Sequence, residues 1–378
     1  MHRWAACLAI LLTCIPVHAA GKTAKRGTGK GAKKETSKVW YFAVSGDSRN
    51  CGDVVLPAIA EKVQKDGASF YWHLGDFRAI HAIDQDFAQL HQGVDRPAYL
   101  KAAWPDFIEH QLIPFGDLPV YLALGNHETI APKTRAAAIQ QFADWLDTPE
   151  LKAQRLRDDP QDRLVKFYYH WIQGGVDFIT LDNASDEEFD EDQLRWFSAE
   201  LERAAQNSEI RTMVVGMHAA LPDSLSAGHS MNEAPQETQS GRKVYGQLVT
   251  FRTQTRKNVY VLASHSHFYM EDIYNTACRK QTPASVLPGW IVGTAGAVRY
   301  RLPADRTGAG EAKTDVYGYL WGAVSPDGSV RFQFRPLAVE DVPRATRQTY
   351  SSDFVESCFK KNASDYVPEG PAQPPNCP

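Results

Sequence analysis

The apolar run Val120-Tyr121-Leu122-Ala123-Leu124 stops abruptly at Gly125-Asn126-His127-Glu128. A short continuous apolar stretch bounded by turn residues reads as a strand buried on both faces. The polar quartet then lies at its carboxyl end, where open α/β sheets place their ligand crevices. One such ending constrains little, because many strands run into polar turns. This chain repeats it. Val39–Ser45 runs into Gly46-Asp47, Ala68–Leu74 into Gly75-Asp76, Thr212–Met217 into His218, and Asn258–Ala263 into Ser264-His265-Ser266-His267. Five strand ends carrying carboxylate, amide or imidazole groups restrict the chain to folds that gather those ends at one sheet edge.

The segments between the first strands have helical spacing. Asp53–Lys65 places Val54, Leu56, Ile59 and Val63 on one face, and helical stretches are expected at Asp84–Gln92, Arg96–Gln111 and Lys133–Leu146. This β-α-β-α-β alternation predicts a layered sheet with helices outside. The rhythm then changes: Val165–Ile172 and Val176–Asp182 flank Gln173-Gly174-Gly175, a hairpin signal. The acidic stretch Asp186–Asp192 leads an amphipathic helix through Leu194, Phe197 and Leu201, its negative charges matching the helix dipole. Pro222–Gly241 reads as a polar loop, with a helix from Lys243 to Thr253. Strands at Trp290–Gly293, Val316–Val324 and Val330–Phe334 close a domain spanning 39–340, and 341–378 reads as an irregular tail.

With 378 residues and a formal charge of -4, no global field argues for a nucleic-acid or membrane-surface partner. No basic, aromatic-interleaved groove is visible in the sequence either. Met1–Ala20 has a basic residue, an apolar run from Trp4 to Pro16 and a small-residue exit, the layout of a secretory signal peptide rather than a transmembrane span. Residues 21–38 form a Gly/Lys/Thr/Ala-rich basic linker. A secreted or periplasmic location follows, and with it a disulfide-permitting compartment for Cys51, Cys278, Cys358 and Cys377. Three pairings are open. Closing Cys358 with Cys377 would stabilise a short loop by roughly 3 kcal/mol and leave Cys51 for Cys278.

Oxygen and imidazole donors without thiolate suit Mn, Fe or Zn rather than a structural zinc cage. Six candidate ligands, Asp47, Asp76, Asn126, His218, His265 and His267, are too many for one tetrahedral ion and about right for two octahedral ions sharing a carboxylate. The order Gly-Asp, Gly-Asp, Gly-Asn-His-Glu, His, His-x-His resembles the calcineurin-like metallophosphoesterase superfamily, which includes purple acid phosphatases, and the likeness covers roughly Val39–Phe334. The resemblance implies a four-layer α/β/β/α sandwich of two mixed β-sheets, with a dinuclear site at the carboxyl ends of the strands. It implies that Asp47 and His267 hold the first metal, Asp76 bridges, and Asn126, His218 and His265 hold the second. His127 would bind the phosphoryl group or protonate the leaving oxygen of a small-molecule phosphate ester, and metal-activated water would attack in line.

The chain departs from that pattern in three places. Arg49 stands where many family members have histidine two residues after the first Asp, and arginine stays protonated and does not ligate metal. Its planar fork could instead grip phosphate. Ala79 replaces the tyrosine that purple acid phosphatases carry three residues after the second Asp. Ser264 replaces the usual glycine before His265. Arg78, His81 and His229 are further candidates for substrate contact, and Glu128 for orienting a ligand. His73, His91, His110 and His170 read as ordinary strand or helix histidines. Two other functions fit the same residues: a non-catalytic metal-dependent binder of phosphorylated ligands, and a secreted phosphodiesterase or nuclease.

Overall fold

A computed structural model describes residues 38–367 except 185–188, 227, 233 and 283–284. The expected leader, nearly all of the linker, part of the acidic stretch and Cys377 lie outside the described residues. One sheet has the order β12-β11-β1-β2-β3, from β1 (Trp40–Ser45), β2 (Ala68–His73), β3 (Val120–Leu122), β11 (Tyr317–Val324) and β12 (Val330–Leu337). The other runs β10-β8-β9-β7-β6-β5-β4. Its members are β4 (Tyr169–Gln173), β5 (Val176–Thr180), β6 (Thr212–Gly216), β7 (Asn258–Ala263), β8 (Tyr269–Glu271), β9 (Gly289–Val292) and β10 (Ala312–Lys313).

Alternation along the strands sorts their side chains into layers. Phe42, Val44, Phe70 and Trp72 lie between the sheets, in one buried cluster with Phe178, Val214 and Leu262. Their chain neighbours Ala43 and Tyr71 belong to a cluster beneath the helix Gly52–Lys65, with Val55 and Ile59. On the opposite sheet Met213 and Val215 face Phe197, Leu201, Val244 and Leu248 from the helices Glu191–Gln206 and Pro235–Thr255. The result is helix, sheet, sheet, helix, as the motif order implied. Trp171 closes the middle layer, its ring 3.8 Å from Tyr121 and 5.1 Å from Phe178. Burial of each such aromatic contributes about 1.5–3 kcal/mol.

Register brings the strand ends level. Ser45 pairs with His73 and His73 with Leu122, all parallel, so Asp47, Asp76 and Asn126 leave the first sheet side by side. Gly216 pairs with Leu262, also parallel, which sets His218 beside Ser264 and His265.

The chain differs from the sequence expectation in three places. The helix expected at Lys243 begins at Pro235, so Pro222–Gly241 is loop only as far as Ala234. Proline suits a first helical position, and Gly241 lets this helix meet Pro222, whose Cδ would lie 2.4 Å from an added Cβ. The tail beyond Asp341 is not irregular: it forms helices at Arg344–Thr349 and Ser352–Lys360. Cys51 pairs with Cys358, not with Cys278. Cys278 is also disulfide-bonded. Spacing favoured the short C-terminal loop, but docking of the last helix brings Cys358 back across 307 residues to the start of Gly52–Lys65. Closing so long a loop places this bond high in the usual range of about 2–5 kcal/mol. Cys358→Ser is expected to lower the thermal unfolding midpoint, and reductant should do the same to the wild type. A midpoint insensitive to both contradicts this role.

Two charged clusters are structural. Arg78, a candidate for substrate contact, is fully buried and pairs with Asp53 at 2.6 Å, Asp86 at 3.0 Å, and Asp106. His170 sits between Asp177 at 2.8 Å and Asp158 at 2.7 Å, with Glu200 at 3.2 Å. Burial opposes its charge, but these carboxylates push its pKa up to about 10 from 6.5. A folded pKa above the unfolded value stabilises fully below pH 6.5, and that contribution is lost as pH rises through about 10. The stability gap between wild type and His170→Gln, measured by urea unfolding, should therefore narrow steadily from pH 6 to pH 10. A gap that widens over that range refutes the imidazolium assignment.

Candidate active site

Three of the strand ends turn sharply before presenting their side chains. Asp47, Asp76 and His265 adopt left-handed backbone, with φ of 61°, 61° and 65°. Such conformations cost on the order of 1–3 kcal/mol each in a non-glycine residue and persist only where the surroundings impose them. Here the turns hold one another. The Asp47 N–H donates to the Gly75 carbonyl at 2.9 Å, and the Ser48 N–H to the Asp76 carbonyl at 3.0 Å. The Asp47 carboxylate accepts the His265 N–H at 2.7 Å, joining the ends of the two sheets. Gly125 permits the closest approach, since a Cβ there would lie 2.2 Å from the Asp76 nitrogen.

Glu128 is the clamp beneath these turns. Its buried carboxylate accepts from the N–H groups of Asp76 (3.0 Å), Phe77 (2.9 Å) and Gly125 (2.9 Å). Asn183, beyond β5, braces the other sheet by accepting the N–H of His218 and Ala219, each at 3.2 Å.

The side chains meet in one place. Donor atoms of Asp47, Asp76, His218 and His265 all lie within 4.8 Å of one another. His218 Nε2 is 3.1 Å from Asn126 Oδ1 and 3.3 Å from Asp76 Oδ1. His267 Nε2 is 3.3 Å from Asp47 Oδ1. Arg49 reaches across the cluster: Nη2 is 2.8 Å from His267 Nε2, Nε is 3.5 Å from Asp76 Oδ2, and Nη1 touches the His127 ring. The His127 N–H donates to Asp76 Oδ1 at 3.1 Å. All eight residues predicted from sequence are therefore gathered here.

Electrostatics and hydrogen bonding test whether these donors fit a cation. His218 Nδ1 donates to the Leu74 carbonyl at 2.8 Å. In the neutral ring its Nε2 lone pair then faces two oxygen acceptors, a contact that is repulsive without a positive charge between them. Asp47 Oδ1, Asp76 Oδ2 and His265 Nδ1 are buried and have no hydrogen-bond partner. Leaving such groups unmade costs about 1–3 kcal/mol each, so the donor set fits a divalent ion. Burial raises the Asp76 pKa, but His127, His218 and Arg49 outweigh it and hold the carboxyl well below the usual range. Burial, reinforced by Arg49 and opposed by Asp76, pulls His127 down to about 4.

This arrangement can be set beside known proteins. The sequence matches the profile of the calcineurin-like phosphoesterases over residues 42–269. The chain belongs to the calcineurin-like phosphoesterase family. Its fold is similar to that of purple acid phosphatase PPD1 from yellow lupin (Lupinus luteus), with a TM-score of 0.51 at 17% identity over 79% of this chain. The chain spans only 52% of that phosphatase's length. PhoD is similar with a TM-score of 0.53 at 12% identity, over 85% of this chain and 77% of PhoD. At these identities the likeness concerns the fold. No curated protein matches the chain at the level of sequence.

Members of this family depend on divalent metal ions, and the convergent oxygen and imidazole donors agree with that. The rim carries groups of this chain's own. His81 approaches His127 at 3.3 Å between Nδ1 atoms, and the His229 ring lies 4.7 Å from that of His265. Both candidates thus border the site. Sequence reasoning missed Tyr300, whose ring stacks on His267 at 4.0 Å, and Tyr366, 4.9 Å from Tyr300. Both lie beyond the matched motifs, and nothing in their local sequence marks them.

Glu128→Gln replaces one acceptor oxygen of the clamp with a donor. It is expected to weaken metal binding by about 10- to 100-fold, measured by titration of the metal-stripped protein, and to lower the thermal midpoint. Unchanged affinity contradicts the clamp.

Proposed function

We propose that this family member is an exported hydrolase that uses divalent metal to cleave small-molecule phosphate esters. The observation that carries the reading is the convergence of donor atoms from Asp47, Asp76, His218 and His265 within 4.8 Å of one another, with Asn126 Oδ1 3.1 Å from His218 Nε2 and buried atoms of Asp47, Asp76 and His265 lacking hydrogen-bond partners, beside His127 and Arg49. The family pattern divides the ligands between two ions, with Asp76 shared, Asn126, His218 and His265 on one side, and Asp47 and His267 on the other. Bound divalent metal would lower the pKa of water and neutralise charge developing on the phosphoryl oxygens.

The chain's own groups complete the task. Arg49 supplies a permanent positive charge and a planar donor fork suited to phosphate oxygens. His127 stands beside Arg49 with its ring held by the Ala79 carbonyl. The negative charge of an incoming phosphate favours protonation of this imidazole, which can then deliver a proton to the departing alkoxide. His229, Tyr300 and Tyr366 form an aromatic rim on the His267 side.

Export rests on the amino-terminal leader pattern and accords with the Cys51–Cys358 disulfide. No helix among the described residues is long and apolar enough to cross a membrane. The second reading, a binder without turnover, rests on Arg49 standing at a ligand position.

Asp76→Asn and Asn126→Ala are each expected to reduce metal-dependent hydrolysis of a chromogenic phosphate ester at least about 100-fold, or ~2.7 kcal/mol in transition-state stabilisation, with circular dichroism unchanged. Mono- and diester substrates assayed in parallel separate phosphatase from phosphodiesterase. Metal binding without hydrolysis of either class by the wild type would establish the binder instead.

A further inference from the structure

We infer that the guanidinium of Arg49 takes the place of one of the two metal ions, so that the site binds a single ion held by Asp47, Asp76, Asn126, His218 and His265. This rests on the metal-dependent reading above and changes its count.

The two halves of the ligand set differ in what they still lack. His218 gives its Nδ1 hydrogen to the Leu74 carbonyl and points Nε2 at two oxygens, Asn126 Oδ1 at 3.1 Å and Asp76 Oδ1 at 3.3 Å. His265 Nδ1 and Asp47 Oδ1 are buried without hydrogen-bond partners. This half needs a cation. His267 likewise gives its Nδ1 hydrogen to a carbonyl, that of Val298 at 2.6 Å. Its Nε2 also faces an oxygen, Asp47 Oδ1 at 3.3 Å, but it already accepts from Arg49 Nη2 at 2.8 Å. The lone pair that would ligate a second ion is thus occupied by a donor.

Charge and space agree with this. Arg49 is 7% exposed, with Nε 3.5 Å from Asp76 Oδ2. An arginine is effectively always protonated, so a divalent ion at His267 would sit against a fixed positive charge inside a buried site, where screening is weak. Nor can the local ligands compensate: Ala79 offers none where purple acid phosphatases have tyrosine, and position 49 offers none where many relatives have histidine. That leaves a second ion with Asp47, a shared Asp76 and an already bonded His267. The guanidinium meets the same demand, placing one positive charge between Asp76 and His267 without any ligand.

The test uses the full mature chain, stripped with chelator and reloaded with Mn²⁺ alone. Bound metal is counted by mass spectrometry, and electron paramagnetic resonance reports whether the ions are spin-coupled. The wild type should retain about one Mn per chain with the spectrum of an isolated ion. Arg49→His, which restores an imidazole ligand and removes the fixed charge, should retain about two and show exchange coupling. His267→Gln in the otherwise wild-type chain should still hold about one, and Asp76→Asn none. Circular dichroism checks that each variant is folded; should Arg49→His fail to fold, the wild-type and His267→Gln counts decide. Two coupled ions in the wild type overturn the inference and leave metal-dependent hydrolysis intact. A wild type that retains no Mn, Fe or Zn and hydrolyses no phosphate ester overturns the underlying reading itself.

Discussion

Everything at the strand ends depends on packing lone pairs together without a donor between them. Donor atoms of the buried Asp47, Asp76 and His218 and the half-buried His265 lie within 4.8 Å of one another, an arrangement that burial and mutual repulsion both oppose. Backbone geometry imposes it. Three of the four residues stand on turns, and three non-glycine residues of those turns are left-handed. The turns survive because each uses its neighbour: Asp47 against Gly75, Ser48 against Asp76, and Glu128 across Asp76, Phe77 and Gly125. The scaffold's hydrophobic layers thus supply the stability that the site gives up. A cation then finds ligands already placed, and little ordering entropy remains to oppose binding.

The same constraint explains why two buried histidines of similar sequence setting behave differently. His218 and His267 each donate Nδ1–H to a backbone carbonyl, which fixes the tautomer and aims Nε2 inward. For His218 the inward environment is oxygen alone, and for His267 it is the Asp47 carboxylate at 3.3 Å together with the Arg49 guanidinium at 2.8 Å. His170 shows the other outcome available to a histidine among carboxylates. With oxygen acceptors at both ring nitrogens and no second donor atom from another imidazole, it resolves the conflict by holding its own proton. Arg78 resolves a comparable conflict among Asp53, Asp86 and Asp106 with a fixed charge. Lone-pair crowding marks a metal centre only where no resident cation relieves it.

The sequence made the site legible because its residues follow strands whose apolar runs are long enough to read, and strand ends in a parallel sheet must converge. Asp47, Asp76, Asn126, His127, His218, His265 and His267 were all identifiable from that pattern alone, whereas the two-sheet sandwich was implied by the family resemblance those residues carry. What escaped was non-local. The Cys51–Cys358 bond spans 307 residues, and no spacing rule chooses it over the short loop to Cys377. The helices Arg344–Thr349 and Ser352–Lys360 were hidden by the Pro- and Asn-rich residues further on. Tyr300 borders the site because the segment beyond β9 hydrogen-bonds back to His267, and Tyr366 because a later segment returns to pair with Arg299 and Arg301. Arg78 follows the bridging Asp in sequence, yet its side chain points back into the scaffold, where three carboxylates from separate segments meet it.

Arg49 lies between these categories. Its position, two residues after the first Asp, marked it as anomalous at once, and its side-chain chemistry excluded ligation. Whether it faced solvent, phosphate or the metal ligands depended on where His267 and His127 would stand, which only the folded chain determines. Once they are in place, an arginine at 49 has few other options. Its backbone leaves the same turn that presents Asp47, and burial at that depth requires compensation from acceptors. Asp76, His127 and His267 are acceptors within reach. On the single-ion proposal, the residue that removes one ligand also supplies one of the two positive charges that a second divalent ion would bring.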